Sequence, residues 1–124
     1  MALAEKLKTI LSETFSAPSV NSYVITVPHH GSVILRQGGD YAGIDLSGAN
    51  LSGLNLGGIN FEGARLINAN LTGTNLSDAN LSGAILSGAN LTNAHLDNAR
   101  LDNVVATGVS FVTPPSGVDP TKLR

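Results

Sequence analysis

The sequence predicts an all-β solenoid, a chain wound in a coil around a leucine-filled bore. Three observations carry the prediction. Apolar residues, mostly Leu, recur every five positions through the middle of the chain; a small apolar residue stands two positions before each of these centres; and a Gly, Asn or Asp stands two positions after it. With 124 residues the chain makes one domain able to bury a working core. It has only five aromatic residues and no Trp, while 42% of it is apolar, so that core is built from Leu, Ala, Ile and Val. A large aromatic-lined ligand cavity is not expected.

Residues 1–43 are expected to hold a capping helix and an irregular first coil. Over 2–15, Leu3, Leu7, Ile10, Leu11 and Phe15 fall at helical spacing with Lys6, Lys8 and Glu13 mainly elsewhere, which predicts an amphipathic α-helix closing the N-terminal mouth of the coil. Pro18 ends it. Alternating apolar residues then predict two strands, 23–27 and 32–36, about the turn Pro28-His29-His30-Gly31. Glu5, Lys6, Lys8 and Glu13 interrupt the run that a signal peptide would need. The longest charge-free window, 14–35, is broken by Pro18, Pro28 and Gly31, so no membrane span is expected and a cytoplasmic location is the default.

The repeat itself occupies 44–113. Its centres are Leu46, Leu51, Leu56, Phe61, Leu66, Leu71, Leu76, Leu81, Leu86, Leu91, Leu96, Leu101, Ala106 and Phe111. Two positions earlier the residue is Ala in eight units and Ile, Leu or Val in five, with Thr74 the exception. An α-helix would rotate such centres by about 140° beyond a full turn at every step and spread them around its axis. A straight strand would flip them from face to face. Within a unit, however, the small residue and the Leu are two apart and share one strand face, while the residue between them, Asn in seven units, points outward. Gly, Asn or Asp two positions on supplies the corner. Each unit is therefore three extended residues and a bend, always with the apolar side inward.

The cleanest copies, Ala49-Asn50-Leu51-Ser52-Gly53 and Ala89-Asn90-Leu91-Thr92, resemble the pentapeptide-repeat family, abundant in cyanobacteria. That resemblance covers 70 of the 124 residues. It implies a right-handed quadrilateral parallel β-helix with four units, or twenty residues, per coil. Three and a half such coils at the spacing of stacked strands give a rod about 17 Å long. Beyond it, Pro114-Pro115 is expected to halt the solenoid, and 114–124 reads as a flexible tail too polar to plug the C-terminal mouth. That mouth becomes a surface for weak homodimer formation.

Catalytic and cofactor residues are not evident. The chain has no cysteine, which removes disulfides, thiolate metal sites and cysteine nucleophiles. His29 and His30 are adjacent in a turn and point apart, with no third ligand at a useful spacing. His95 and Asp97 flank Leu96 on the outside of one strand and read as a surface pair. The glycines fall at corners rather than at a strand-to-helix junction, so they form no phosphate loop. No cofactor and no metal are expected.

The twenty-residue coil, once applied, exposes one surface feature. It stacks Asp45, Arg65, Ile85 and Val105 in one outward column and Ser47, Ile67, Ser87 and Thr107 in the next. Ile67, Ile85 and Val105 then form an outward apolar cluster on a wall otherwise lined with Asn and Ser, a candidate interaction patch. The expected function is a non-enzymatic structural or protein-interaction module whose partner is a protein, with neither nucleic acid nor membrane bound at a net charge of -2. The alternative comes from a branch of the same family that mimics duplex DNA and inhibits or protects DNA gyrase. Residues 44–113 disfavour it: five acids against two arginines leave a net of -3, where a duplex carries about 10 charges over about 17 Å. No dimerising C-terminal helix is evident either.

Overall fold

The structure, a computed structural model, describes residues 22–111, 113–118 and 123. Two strands open it, β1 (Ser22–Val27) and β2 (Gly31–Arg36), paired antiparallel with Tyr23 opposite Leu35 and Val24 opposite Ile34. They lie within one residue of the expected strands. Their arrangement differs from the expected coil: the turn over His29, at φ 68°, and Gly31 folds the chain back on itself as a hairpin. Ile25, Val27 and Leu35 on its inner face are buried in the same core as the repeat, so the hairpin closes that end of the bore. The Tyr23 hydroxyl accepts the Asn55 N–H at 3.1 Å and fixes the hairpin against the coil. The predicted capping helix over 2–15 lies outside the described residues.

From Asp40 onward the rungs are parallel bridges between residues twenty apart, from Asp40–Asn60 to Asn90–Ser110. The corners repeat every five. A β-turn closes each one, as where the Ala49 N–H donates to the Leu46 carbonyl at 3.0 Å with Gly48 at φ 76°. Positive φ at the third turn residue is the type II signature, which selects Gly or, at Asn68, Asp78, Asn93, Asn98 and Asn103, a residue that tolerates it. Four corners per twenty residues make a four-walled coil. The walls join by parallel ladder bonds such as Leu46 N–H to Arg65 C=O and Arg65 N–H to Ile44 C=O.

Every centre from Leu46 to Leu96 is buried, together with the alanines two positions before them. Thr74 takes one of those alanine positions without an unpaired hydroxyl, because its Oγ1 donates to the Leu51 carbonyl of the adjoining coil at 2.7 Å. The repeat also starts earlier than expected. Tyr41 occupies a centre one coil before Phe61, their rings 6.3 Å apart, and its N–H donates to the Asn60 carbonyl.

The outward Asn residues brace the corners. The Oδ1 atoms of Asn50, Asn60, Asn70, Asn80 and Asn90 each accept the backbone N–H two residues on. Asp40 and Asp45 already do the same with a carboxylate. Asn70→Asp is therefore expected to change stability by less than about 0.5 kcal/mol in a urea melt. Asn75→Asp is expected to cost more, because the Asn75 amide nitrogen donates to Asn55 Oδ1 at 2.9 Å and a carboxylate there would face that oxygen instead.

The C-terminal end departs from expectation. The prolines do not stop the ladder: Ser116 N–H donates to Ala94 C=O, Leu96 N–H to Ser116 C=O, and Ser116 bridges His95. That bridge spans 21 residues instead of twenty. One extra residue enters between Ser110 and Thr113, whose carbonyl takes the Asn93 N–H. Pro114 and Pro115, which have no N–H to give, then sit before the residue that must donate. Gly117 follows at φ 79° against the Asp97 backbone, so close that a Cβ would overlap it. Leu123 is fully buried in the shared core and lines, with Val109 and Phe111, a cleft of about 510 Å³. The expected halt at Pro114-Pro115 is thus corrected, as is a tail too polar to pack: among the described residues, Ser116 joins the ladder through its peptide groups and Leu123 packs into the core. Among the described residues no helix is long and apolar enough to cross a membrane.

Candidate functional site

Twenty-residue stacking turns each outward position into a column, so the walls of the coil differ only in what stands in those columns. One column holds Asp45, Arg65, Ile85 and Val105 in bridge register. Its N-terminal half is charged. Asp45 lies 3.4 Å from His30 Nε2 and 3.8 Å from Arg65 Nε. The carboxyl is held below its usual range first by the bonded backbone N–H of Ser47, with the nearby His30 ring and Arg65 guanidinium adding to it. His30 thereby ties the hairpin turn to the first coil; His29 has no such role in the structure.

The C-terminal half of the column is aliphatic. Val105 is 43% exposed and Ile85 half-buried. Ile67 belongs to the neighbouring column and is also half-buried. The Ile85 carbonyl accepts the N–H of Leu66, the residue just before Ile67, which places the two isoleucines on adjacent coils of one wall. The three patch residues therefore share a wall, with the Arg65 side chain on the charged side of Ile85.

His95 and Asp97 do meet, through a residue that sequence reasoning did not connect to them. The Ser116 hydroxyl lies 3.1 Å from His95 Nδ1 and donates to Asp97 Oδ2 at 3.2 Å. This is not the order that activates a serine, in which the imidazole stands between hydroxyl and carboxylate. Here the hydroxyl stands in the middle and fastens the tail. No sequence signal could have found the contact, because it depends on the extra residue before Thr113. Below it, Asn55, Asn75 and His95 line an open trough of about 430 Å³ with Gly53, Gly73 and Ser77. Among the described residues no group of three or more His, Cys, Asp or Glu could hold a metal ion.

Sequence reasoning also missed the other two exposed large aliphatic side chains, besides Val105, among the described residues. Val24, at 72%, and Ile34, at 40%, are paired at the centre of the hairpin's outer face. The alternation that located the strands carried the signal, since it sends every second residue outward.

Comparison with known proteins returns a family model described as Pentapeptide repeats (8 copies), matched over residues 44–83 and 84–112. Comparison with curated proteins returns no match. Among solved structures, a pentapeptide repeat protein from the cyanobacterium Cyanothece 51142 is 42% identical, over 58% of this chain and 49% of that one, with a TM-score of 0.57. A pentapeptide repeat protein from Nostoc PCC 7120 is 30% identical over 68% of this chain and 80% of that one, with a TM-score of 0.29. QnrB1, a plasmid-mediated fluoroquinolone resistance protein, is 27% identical over 60% and 46%, with a TM-score of 0.36. This chain thus spans about half the length of the Cyanothece protein. Likeness to that structure implies a right-handed β-helix, the hand expected above.

Proposed function

Because the chain belongs to the pentapeptide-repeat family, we propose that it is a non-catalytic interaction module, working in the cytoplasm, that meets a partner protein on the wall carrying Ile67, Ile85 and Val105. One observation carries this reading: Ile85 and Val105 stand in ladder register where the other rungs of the coil present Asn, Ser, His or charged groups. A rigid coil needs no aliphatic residue there, since outward positions contribute little to the bore. Two adjacent aliphatic rungs beside Arg65 suit a partner surface with an apolar centre and an acidic edge. The capping helix over 2–15 belongs to the same reading, as a structural end rather than a contact. Burial of Leu123 at the C-terminal end supports the wall, over that end, as the contact surface.

Ile85→Asn is expected to leave the thermal melt within about 0.5 kcal/mol of the parent. It should weaken a partner contact about fivefold or more, the loss typical of a contributing interface residue. A pull-down from the native host with the two proteins checks both parts. Equal recovery of every bound protein, with solution mass unchanged across concentration, removes the patch from consideration.

The DNA-mimic alternative gains no support from the charges. Asp45 is paired with Arg65 at 3.8 Å and Asp102 with Arg100 at 3.6 Å, so two of the coil's five acids are partly neutralised. No change in gyrase supercoiling is the outcome that agrees with this.

A further inference from the structure

The Ser116 link fixes more than the position of the tail. A carboxylate can only accept a hydrogen bond, and a serine hydroxyl has one proton to give. Ser116 Oγ donates that proton to Asp97 Oδ2 at 3.2 Å, so its contact with His95 Nδ1 at 3.1 Å is made by a proton on the ring. Nδ1 is then the protonated nitrogen even when the ring is neutral, and Nε2 is left as a bare lone pair. The two ring nitrogens diverge, so Nε2 points away from Ser116. On the other side of His95 in the ladder stands Asn75, its bridge partner, and with it the trough.

We infer that Nε2 accepts a ligand hydroxyl in that trough, which is a binding site for a neutral polyhydroxylated molecule, a short sugar chain. The polar groups around it are already oriented, as a binding site requires. Asn75 is held at both ends of its amide, the nitrogen donating to Asn55 Oδ1 at 2.9 Å and the oxygen accepting the Ser77 N–H at 3.0 Å. Asn55 Oδ1 also takes the Gly57 N–H, while the Asn55 amide nitrogen has no partner among the described residues and can donate to a ligand oxygen. Asn55 and His95 stand two rungs apart, about 10 Å, a span that two linked sugar rings cover. Among the described residues no carboxylate, Lys or Arg lines the trough, which favours a neutral ligand over an ion. Its volume of about 430 Å³ lies within the range of small-molecule sites. The column is two corners away from Ile85, on the opposite wall, so this site is separate from the protein-contact patch.

Nitrogen NMR of the isotope-labelled full chain reads the ring directly, at a pH above the range in which histidines gain charge. The long-range proton–nitrogen correlations of His95 are expected to show Nδ1 protonated and Nε2 bare. Asp97→Ala should invert this tautomer, because Ser116 then has no carboxylate to serve and gives its proton to Nδ1. Ser116→Thr, which keeps the hydroxyl, should retain the parent's form. A clasp that only fastens the tail would not move the proton. Maltose, added to about 100 mM, is expected to shift the His95 and Asn55 side-chain signals with a midpoint in the millimolar range. His95→Ala should weaken that binding about tenfold while the coil keeps its cooperative melt. A parent His95 with its proton on Nε2, or a tautomer unchanged in Asp97→Ala, overturns the acceptor. Signals unmoved by maltose, or equal binding in His95→Ala, overturn the site.

Discussion

Leu71→Asp is expected to abolish the cooperative fold. Leu71 is fully buried in the middle of the array. Its N–H donates to Asn90 C=O, and its own carbonyl takes the Thr74 N–H that closes the next corner. The side chain can neither turn outward without reversing the strand pleat nor reach solvent along the bore. Loss of the Leu removes roughly 1.5–3 kcal/mol of burial. The carboxyl adds several more, whether it enters charged or is forced to stay protonated. Together these approach the whole stability of a small domain, about 5–15 kcal/mol. In a repeat array the damage is not local, because coils on either side depend on their neighbours for both core and ladder. Far-ultraviolet circular dichroism and a urea melt read the result. A retained β spectrum with an unshifted midpoint would mean that position 71 does not face the bore.

Phe61→Ala is expected to destabilise by about 3–5 kcal/mol. Phe61 is the largest fully buried side chain among the described residues. It meets the Tyr41 ring one coil earlier, and the Tyr41 hydroxyl in turn accepts the Arg36 N–H at 3.0 Å and donates to the Ile34 carbonyl at 2.9 Å. Truncation therefore opens a cavity under the joint between hairpin and coil. Amide exchange in β2 should accelerate beyond what the global melt accounts for. Phe61→Leu restores the residue that most other centres use and should cost less than about 1.5 kcal/mol. If Phe61→Ala melts with the parent, the ring is not packed at this joint.

The parts of the molecule that were legible in the sequence are those set by local rules repeated many times. Ala49, Leu51 and Gly53 specify an inward pair and a corner within five residues, and each further copy repeats the instruction. The hairpin was legible for the same reason, through alternation and the turn formers at 28–31. The ends were not. Tyr41 and Ser116 act as members of the array although their own neighbourhoods do not spell the motif, and each is recruited by the coil it stacks on. The candidate site was legible in one respect: Ile67, Ile85 and Val105 could be placed on one wall once twenty residues were taken as the coil. The contact of His30 with Asp45 and the Ser116 link could not.

The amino-acid order alone determined the repeat length, the buried face and the position of every corner from 44 to 111, because a five-residue bend is decided by side-chain size, strand alternation and tolerance of positive φ within that bend. Where the coil starts and stops, and which residues touch across it, only the tertiary structure decided. Those contacts join positions twenty or twenty-one residues apart, and a single extra residue between Ser110 and Thr113 shifts those that follow it. Stacking energy, not local preference, sets that register.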